Sequence, residues 1–434
     1  MSPRRLLLVC YFFPPIAGGG VHRVLGFARH LPRLGWECTV VCAGEEDYWV
    51  RDETLSAAVP QGTEVIRVRG GSAIASWLRL GRRAGGHGSG RRAGALASGL
   101  RRLSDWWLMP DSYVGWALRA RRAVARRLAR GDVDAVLTSS PPDSVHLAAL
   151  GPARRAGVPW LADFRDPWIG LNFRTPPTSW HRARQAQLER SVLEGAETVT
   201  TASRLHAEQL RGGAAGKVRR VVHLPNGFEP AAVAVDASPE SDASFFTLVF
   251  TGTLSLMPET RVLLEALAAW LAARPAARAR VRVRLAGPCD VDDEDRARAL
   301  GLADVVSFPG PLAHAAARAL QRRADLLVLW KPAGTGYRTM VPGKLYEYLD
   351  SGRPLLAVMP ADDEAAALVR RGGAEVVPPG DRAAIAGALE RGYDRWMDAG
   401  RAPDARPAWL DSHARAPIAA RLAGWLDGLA EARP

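Results

Sequence analysis

Lysine is almost missing from this chain. Of 58 basic residues only Lys217, Lys331 and Lys344 are lysines, and the rest are arginine. Cysteine is scarce as well. Cys10, Cys38, Cys42 and Cys289 show no CxxC spacing, which excludes a disulfide framework and a cysteine-rich zinc site. Cys38 and Cys42 fall in an apolar run and read as small core residues of a reducing cytoplasm. No apolar run is long enough to span a bilayer. The basic start is followed only by the short run Leu6 to Phe13 and then by Pro14-Pro15, so no signal peptide is expected. GxGxxG is lacking, which excludes the dinucleotide fingerprint. No repeat with a period of roughly 20 to 50 residues is visible, which excludes a solenoid.

What is present is an ordinary globular composition, 47% apolar and 24% charged, over 434 residues. That length points to two domains of about 200 residues each. The net charge of +13 implies attraction to anionic partners. Short apolar runs alternate with helical patterns, which argues for an α/β architecture. The first set of strands is expected at Leu6 to Tyr11, Glu37 to Cys42, Glu64 to Val68, Ala135 to Thr138, Pro159 to Ala162 and Thr198 to Thr201. Long helices fit Tyr113 to Arg130 and Ser179 to Glu194, and Ser76 to Leu103 forms a basic segment rich in Arg, Gly and Ala. A Pro, Ala and Asp-rich linker over 225–243 separates residues 1–224 from a second unit over 244–410. Its strands are expected at Phe245 to Thr251, Arg280 to Ala286, Val305 to Phe308, Leu326 to Trp330, Leu355 to Met359 and Glu375 to Val377. A last helix within 411–434 is expected to pack back on the first unit. The expected fold is two Rossmann-like doubly wound domains facing across a cleft, with ligands at the carboxyl ends of the strands.

The most informative stretch runs from Val341 to Leu356. It puts Gly343-Lys344 at the mouth of a helix, Glu347 one turn in, and Gly352-Arg353-Pro354 as a stop before an apolar strand. Free N–H groups at a helix start attract phosphate, and lysine is a compact charge suited to a tight phosphate pocket. A carboxylate one turn in can accept from two neighbouring ribose hydroxyls. The competing reading is a solvated Lys344 and an ordinary helix acid at Glu347. The first strand ends in Phe12-Phe13-Pro14-Pro15-Ile16-Ala17-Gly18-Gly19-Gly20, where three glycines permit close backbone approach to a ligand.

Two further strand ends carry chemistry. Asp163-Phe164-Arg165-Asp166 can offset phosphate charge through Arg165 and orient an acceptor hydroxyl through Asp163 or Asp166, or can be an internal salt bridge that pins the loop before Pro167. Ser139-Ser140 and His146 can touch substrate, or Ser140 or Asp143 can simply cap a helix. Asp132-Val133-Asp134 and Asp290-Val291-Asp292 match an Asp-x-Asp metal pattern but read as a turn and an acidic helix start. Trp106, Trp107 and Trp116, after a run of arginines, fit either a membrane interface or a core cluster.

Four segments in this order resemble the GT-B glycosyltransferases of family 4, which are retaining nucleotide-sugar transferases. They are Tyr11 to Gly20, Leu224-Pro225-Asn226-Gly227-Phe228, Phe250-Thr251-Gly252-Thr253-Leu254 and Gly343 to Pro354. The resemblance implies that Glu347 holds the ribose. It implies that Gly343 and Lys344 approach the diphosphate, with Gly252, Thr253 and Leu345 beside them, and that Gly18, Gly19 and Gly20 cap it from the other domain. The family's second acid, eight residues before the ribose Glu, is replaced here by Thr339. Its phosphate-clamping Arg and Lys are replaced by Thr253 and approximately Pro258. Lys331 or Arg338 is the expected replacement cation, with Arg261 a further candidate.

The resulting expectation is a metal-independent retaining transferase with no cofactor. It moves a sugar from a nucleotide-diphosphate donor to a sugar, lipid-linked or natural-product acceptor in cell-surface polysaccharide or glycolipid assembly. A cytoplasmic location with peripheral contact to the anionic inner membrane face is expected, and no nucleic-acid partner. The alternatives are a nucleotide-sugar epimerase of the same fold and a basic nucleic-acid-binding protein.

Overall fold

The computed structural model describes residues 3–16, 18, 20–45, 51–70, 106–170, 176–213, 217–230, 244–254, 258–289, 291–403 and 405–432. The basic segment, Gly19 and most of the expected linker therefore lie outside the described residues. The chain divides into two compact units, Met1–Gly227 with Arg415–Pro434, and Phe228–Ala414.

In the first unit a parallel sheet is built from β1 (Arg4–Cys10), β2 (Trp36–Ala43), β3 (Glu64–Val68), β4 (Ala135–Ser140), β5 (Trp160–Phe164), β6 (Thr198–Thr201) and β7 (Val221–His223). Their order is β3-β2-β1-β4-β5-β6-β7. Central parallel strands are covered on both faces, which is why β1 and β4 read as unbroken apolar runs. Leu8 pairs with Val40 on one side and Leu137 on the other. The helices α1 (Val21–His30), α2 (Val114–Leu128), α3 (Ser144–Ala156), α4 (Ser179–Gly195) and α5 (Arg204–Arg211) supply the crossovers. The strand order reverses between β1 and β4, so the crevice outside their carboxyl ends is the expected ligand position.

The second unit repeats this plan with β8 (Phe246–Thr251), β9 (Val281–Ala286), β10 (Val306–Gly310), β11 (Leu326–Trp330), β12 (Leu355–Val358) and β13 (Glu375–Val377). The order is β10-β9-β8-β11-β12-β13, and the switch point lies between β8 and β11. Its helices are α6 (Pro258–Ala273), α7 (Val291–Ala299), α8 (His314–Arg323), α9 (Gly343–Asp350), α10 (Glu364–Arg371) and α11 (Arg382–Ala399). The last helix, α12 (Arg415–Glu431), belongs to the first unit. Its Ile418, Leu422 and Leu426 join Leu6, Leu8 and Phe27 in one apolar cluster. Asp427 fixes it by accepting from Trp36 Nε1 at 3.0 Å and from Arg4 at 2.6 Å.

The strand expectations were close, with one omission. β7 is only three residues, and of these only Val221 is buried, so it leaves no apolar run. Among the described residues no helix is long and apolar enough to cross a membrane.

Candidate active site

The second unit's switch point gathers the residues of the Gly-Lys helix. β8 ends at Thr251, and Gly252 follows with φ +140°, a conformation L side chains rarely adopt. A Cβ on Gly252 would land on the Lys344 amine, and one on Gly287 (φ +146°) would strike the Gly252 carbonyl. Glycine at both places is what lets α9 bring its lysine onto the end of β8. The Lys344 amine also lies over the face of Phe250, 4.3 Å from the ring centroid. The Phe250 ring stacks at 3.8 Å on Trp330 from β11. Burial pulls the Lys344 pKa down to about 8, with the Glu347 charge acting the other way. No hydrogen bond or ion pair among the described residues engages that amine. A half-buried cation set against an aromatic face at a helix start is an arrangement for an anion.

Glu347 lies one turn further along α9 and is held by α8. His314 Nε2 is 2.9 Å from its Oε1, and Gln321 donates to its Oε2 at 3.4 Å and to Thr251 Oγ1 at 2.9 Å. Arg318 donates to the Glu347 carbonyl at 2.7 Å and pairs with Asp350. Tyr348 pins the helix to β8 by accepting from the Thr251 N–H at 2.8 Å. Sequence reasoning missed His314, Arg318 and Gln321. Their spacing of four and then three places them on one face of α8, which was the available signal.

Several expected site residues sit elsewhere. Leu345 is fully buried in the core of the second unit, and its N–H is bonded to the Pro342 carbonyl at 3.0 Å, so it offers the donor nothing. Lys331 is buried and spent: it pairs with Asp363 at 2.7 Å and donates to the Met340 carbonyl, while Asp363 caps α10. It is a structural cation, not the replacement clamp. Arg338 is exposed and paired with Asp362 at 2.6 Å, and Arg261 is exposed. Gly343 and Thr253 are exposed at the same end of the sheet as Lys344.

In the first unit Asp163 is the largest correction. Its side chain has no solvent exposure. It accepts from Arg23 Nε at 2.8 Å and Nη2 at 2.7 Å, from Ser139 at 2.7 Å and from Thr200 at 2.5 Å. Burial alone would raise its pKa, but the Arg23 charge and these donors hold it below the ordinary carboxylate value. A carboxylate so satisfied is a tie within the fold and has no lone pair left for a substrate. His146 is likewise internal: it stacks on Phe164 at 4.4 Å, and burial drives its pKa down to about 3. Asp132 pairs with Arg5 and Arg127, and Asp134 accepts the Arg5 N–H at 2.7 Å, which makes the Asp-x-Asp there a pinned turn.

Arg165 and Asp166 remain at the carboxyl end of β5, paired with each other at 3.0 Å. The glycine turn meets them. A Cβ on Gly20 would lie 3.2 Å from Arg165 Nη1 and 3.0 Å from the Phe12 ring, so the guanidinium rests against the start of α1. Gly18, with φ +120°, accepts the Val21 N–H through its carbonyl at 3.1 Å.

Residues 18–227 match the pattern of the glycosyl transferase 4-like domain. No curated protein matches the chain. Solved structures share its fold. Sucrose-phosphate synthase from Thermosynechococcus elongatus aligns at TM-score 0.67 and 16% identity over 99% of this chain and 100% of its own. Anabaena HepE in complex with UDP-glucose aligns at 0.63 and 14%, over 98% and 99%. A putative UDP-N-acetylglucosamine 2-epimerase from Listeria monocytogenes aligns at 0.59 and 11%, over 99% and 97%. At such identities the likeness carries the fold alone. Residues 18–227 thus match a glycosyl transferase 4-like domain, and the chain as a whole has the two-sheet GT-B fold.

Proposed function

We propose that the second unit binds a nucleotide-diphosphate sugar on α9 and that the enzyme transfers the sugar with retention, without a metal. The observation that carries this is the Lys344 amine. It is drawn onto Gly252 at the β8–β11 switch point, with Glu347 one turn further along the same helix. Lys344 and the first N–H groups of α9 offset the diphosphate charge, and Glu347 accepts from the ribose hydroxyls. As the bond from the anomeric carbon to the diphosphate oxygen breaks, the acceptor oxygen bonds that carbon on the same face. Its proton passes to the departing phosphate. Arg165, against Gly20, is the residue of the first unit for an acceptor contact, and Asp166 orients it.

The acceptor class we favour is a lipid-linked or membrane-proximal sugar, as in polysaccharide or glycolipid assembly at the inner membrane face. Its support is a patch of exposed tryptophans: Trp106 is 51% exposed, Trp107 80% and Trp180 62%, with Trp106 and Trp180 both packed edge-on to His181. Exposed indoles of this kind suit a lipid headgroup region, and Arg182 and Arg184 lie exposed on the same helix as Trp180. Trp116 takes the other reading and is core, donating to the Val68 carbonyl at 3.1 Å.

A melting-temperature panel of nucleoside diphosphates and their sugar esters tests the donor assignment. A cognate donor should raise Tm by mass action, and Glu347→Ala should abolish the rise. An unchanged rise in that variant would refute the ribose role.

A further inference from the structure

The two protein donors to the Glu347 carboxylate are unequal. Gln321 reaches Oε2 only at 3.4 Å and gives its better bond, 2.9 Å, to Thr251 Oγ1. His314 Nε2 lies 2.9 Å from Oε1 and is the main contact. α9 does not depend on it for its place. Arg318 bonds the Glu347 carbonyl and pairs with Asp350, and Tyr348 holds the helix to β8. A partly exposed side-chain pair of this kind adds little to stability. What His314 governs is the state of the carboxylate itself.

The pair stands where a proton from solvent reaches it. His314 is the first residue of α8, and its side chain is 30% exposed against 14% for Glu347. Imidazole is the side chain that ordinarily changes charge between about pH 5 and 8. The other charged or titratable groups on the packed elements are Lys344, Tyr348 and Asp350 on α9, Arg318 on α8, and Arg406, which pairs with Asp350. Lys344, at about 8, keeps its charge below neutrality, and burial pushes the Tyr348 phenol further up. A neutral imidazole gives the carboxylate one hydrogen bond and leaves its charge to other donors. An imidazolium makes the contact an ion pair, which is stronger and takes up much of that charge.

We propose that His314 is a positioning residue that gates the ribose contact by its own protonation. Neutral, it steadies Glu347 Oε1 and leaves the carboxylate to the ribose hydroxyls. Protonated, it competes with those hydroxyls for the same carboxylate. This rests on the reading that α9 holds a nucleotide. The gate acts on the ribose contact alone, so it is separable from any change in attraction for the diphosphate.

Titration calorimetry on the full chain tests it with two probes. One is whichever of ADP, GDP and UDP binds tightest, and the other is its 2′-deoxy counterpart. The ratio of the two affinities isolates the ribose contact, because both probes carry the same diphosphate. In the wild type the ribo form should be favoured about tenfold at about pH 7, and about threefold or less at about pH 5.5. His314→Gln keeps an amide donor that cannot charge, so its ratio should be the same at both pH values. A wild-type ratio that does not change with pH, or one that changes equally in His314→Gln, would overturn the gate and leave the nucleotide site standing. If none of the three diphosphates binds, or if the ribo form has no advantage at about pH 7, the nucleotide or ribose reading itself fails and the gate fails with it.

Discussion

Lys344 carries its charge against a burial penalty that Glu347 and the Phe250 ring offset only in part. Burial holds its pKa near 8, so the amine is protonated below that value and loses its charge as pH rises through it. Nucleotide affinity should therefore hold from about pH 6 to 7.5 and fall above about pH 8, and Lys344→Met should bind weakly with that pH limb gone; calorimetry at several pH values reads both. The same variant should melt higher than wild type at pH 7, because the desolvated cation destabilises the folded state. Glu189 makes a second residue-scale prediction. Burial first, and then the neighbouring Asp143 charge, push its pKa up to about 7 from 4.5. The folded state holds that proton more tightly than the unfolded chain. Its contribution is thus complete below about pH 4.5 and is lost as pH rises through 7. Glu189→Gln should flatten that part of the stability-versus-pH curve, and an unchanged curve would refute the assignment. At this scale the helix start that carries Lys344 and Glu347 was legible, because Pro342-Gly343 and a rare lysine mark it. The sequence misled at Asp163, whose partner Arg23 is 140 positions away and gives no local sign.

At the scale of elements, the Asp163 carboxylate joins α1 to β4, β5 and β6 through Arg23, Ser139 and Thr200. Arg23 extends the tie by donating to the carbonyls of Pro225 at 2.6 Å and Leu224 at 3.0 Å. Removing one side of a buried pair strands the other charge, so Asp163→Ala should cost about 3–5 kcal/mol, read as a lower urea midpoint for the first unit. A catalytic role alone would leave the midpoint in place. α9 is pinned in a comparable way by Tyr348 on Thr251 and by the His314, Arg318 and Gln321 face of α8. The helices and strands themselves were legible because buried parallel strands are apolar throughout and their glycine and proline stops are plain. The α8–α9 contact was not, since no pattern within one helix states which neighbour its polar face will meet.

At the scale of the molecule, two sheets of the same doubly wound order each present one switch point, and the sequence motifs fall at both. That much could be read in advance, because strand spacing and the order of the four marked segments carry it. The cation expected to replace the family's phosphate clamp could not be read. Lys331 is held by its buried partner Asp363, which leaves Lys344 as the cation we propose for the diphosphate. The most direct measurement is a crystal structure of the chain grown with the nucleoside diphosphate that raises its melting temperature most. The diphosphate should lie on the Lys344 amine and the first turn of α9, with the ribose hydroxyls on Glu347 displacing or sharing the His314 contact. A nucleotide bound away from α9, or held there with Glu347 still turned wholly to His314 and Gln321, would contradict the account.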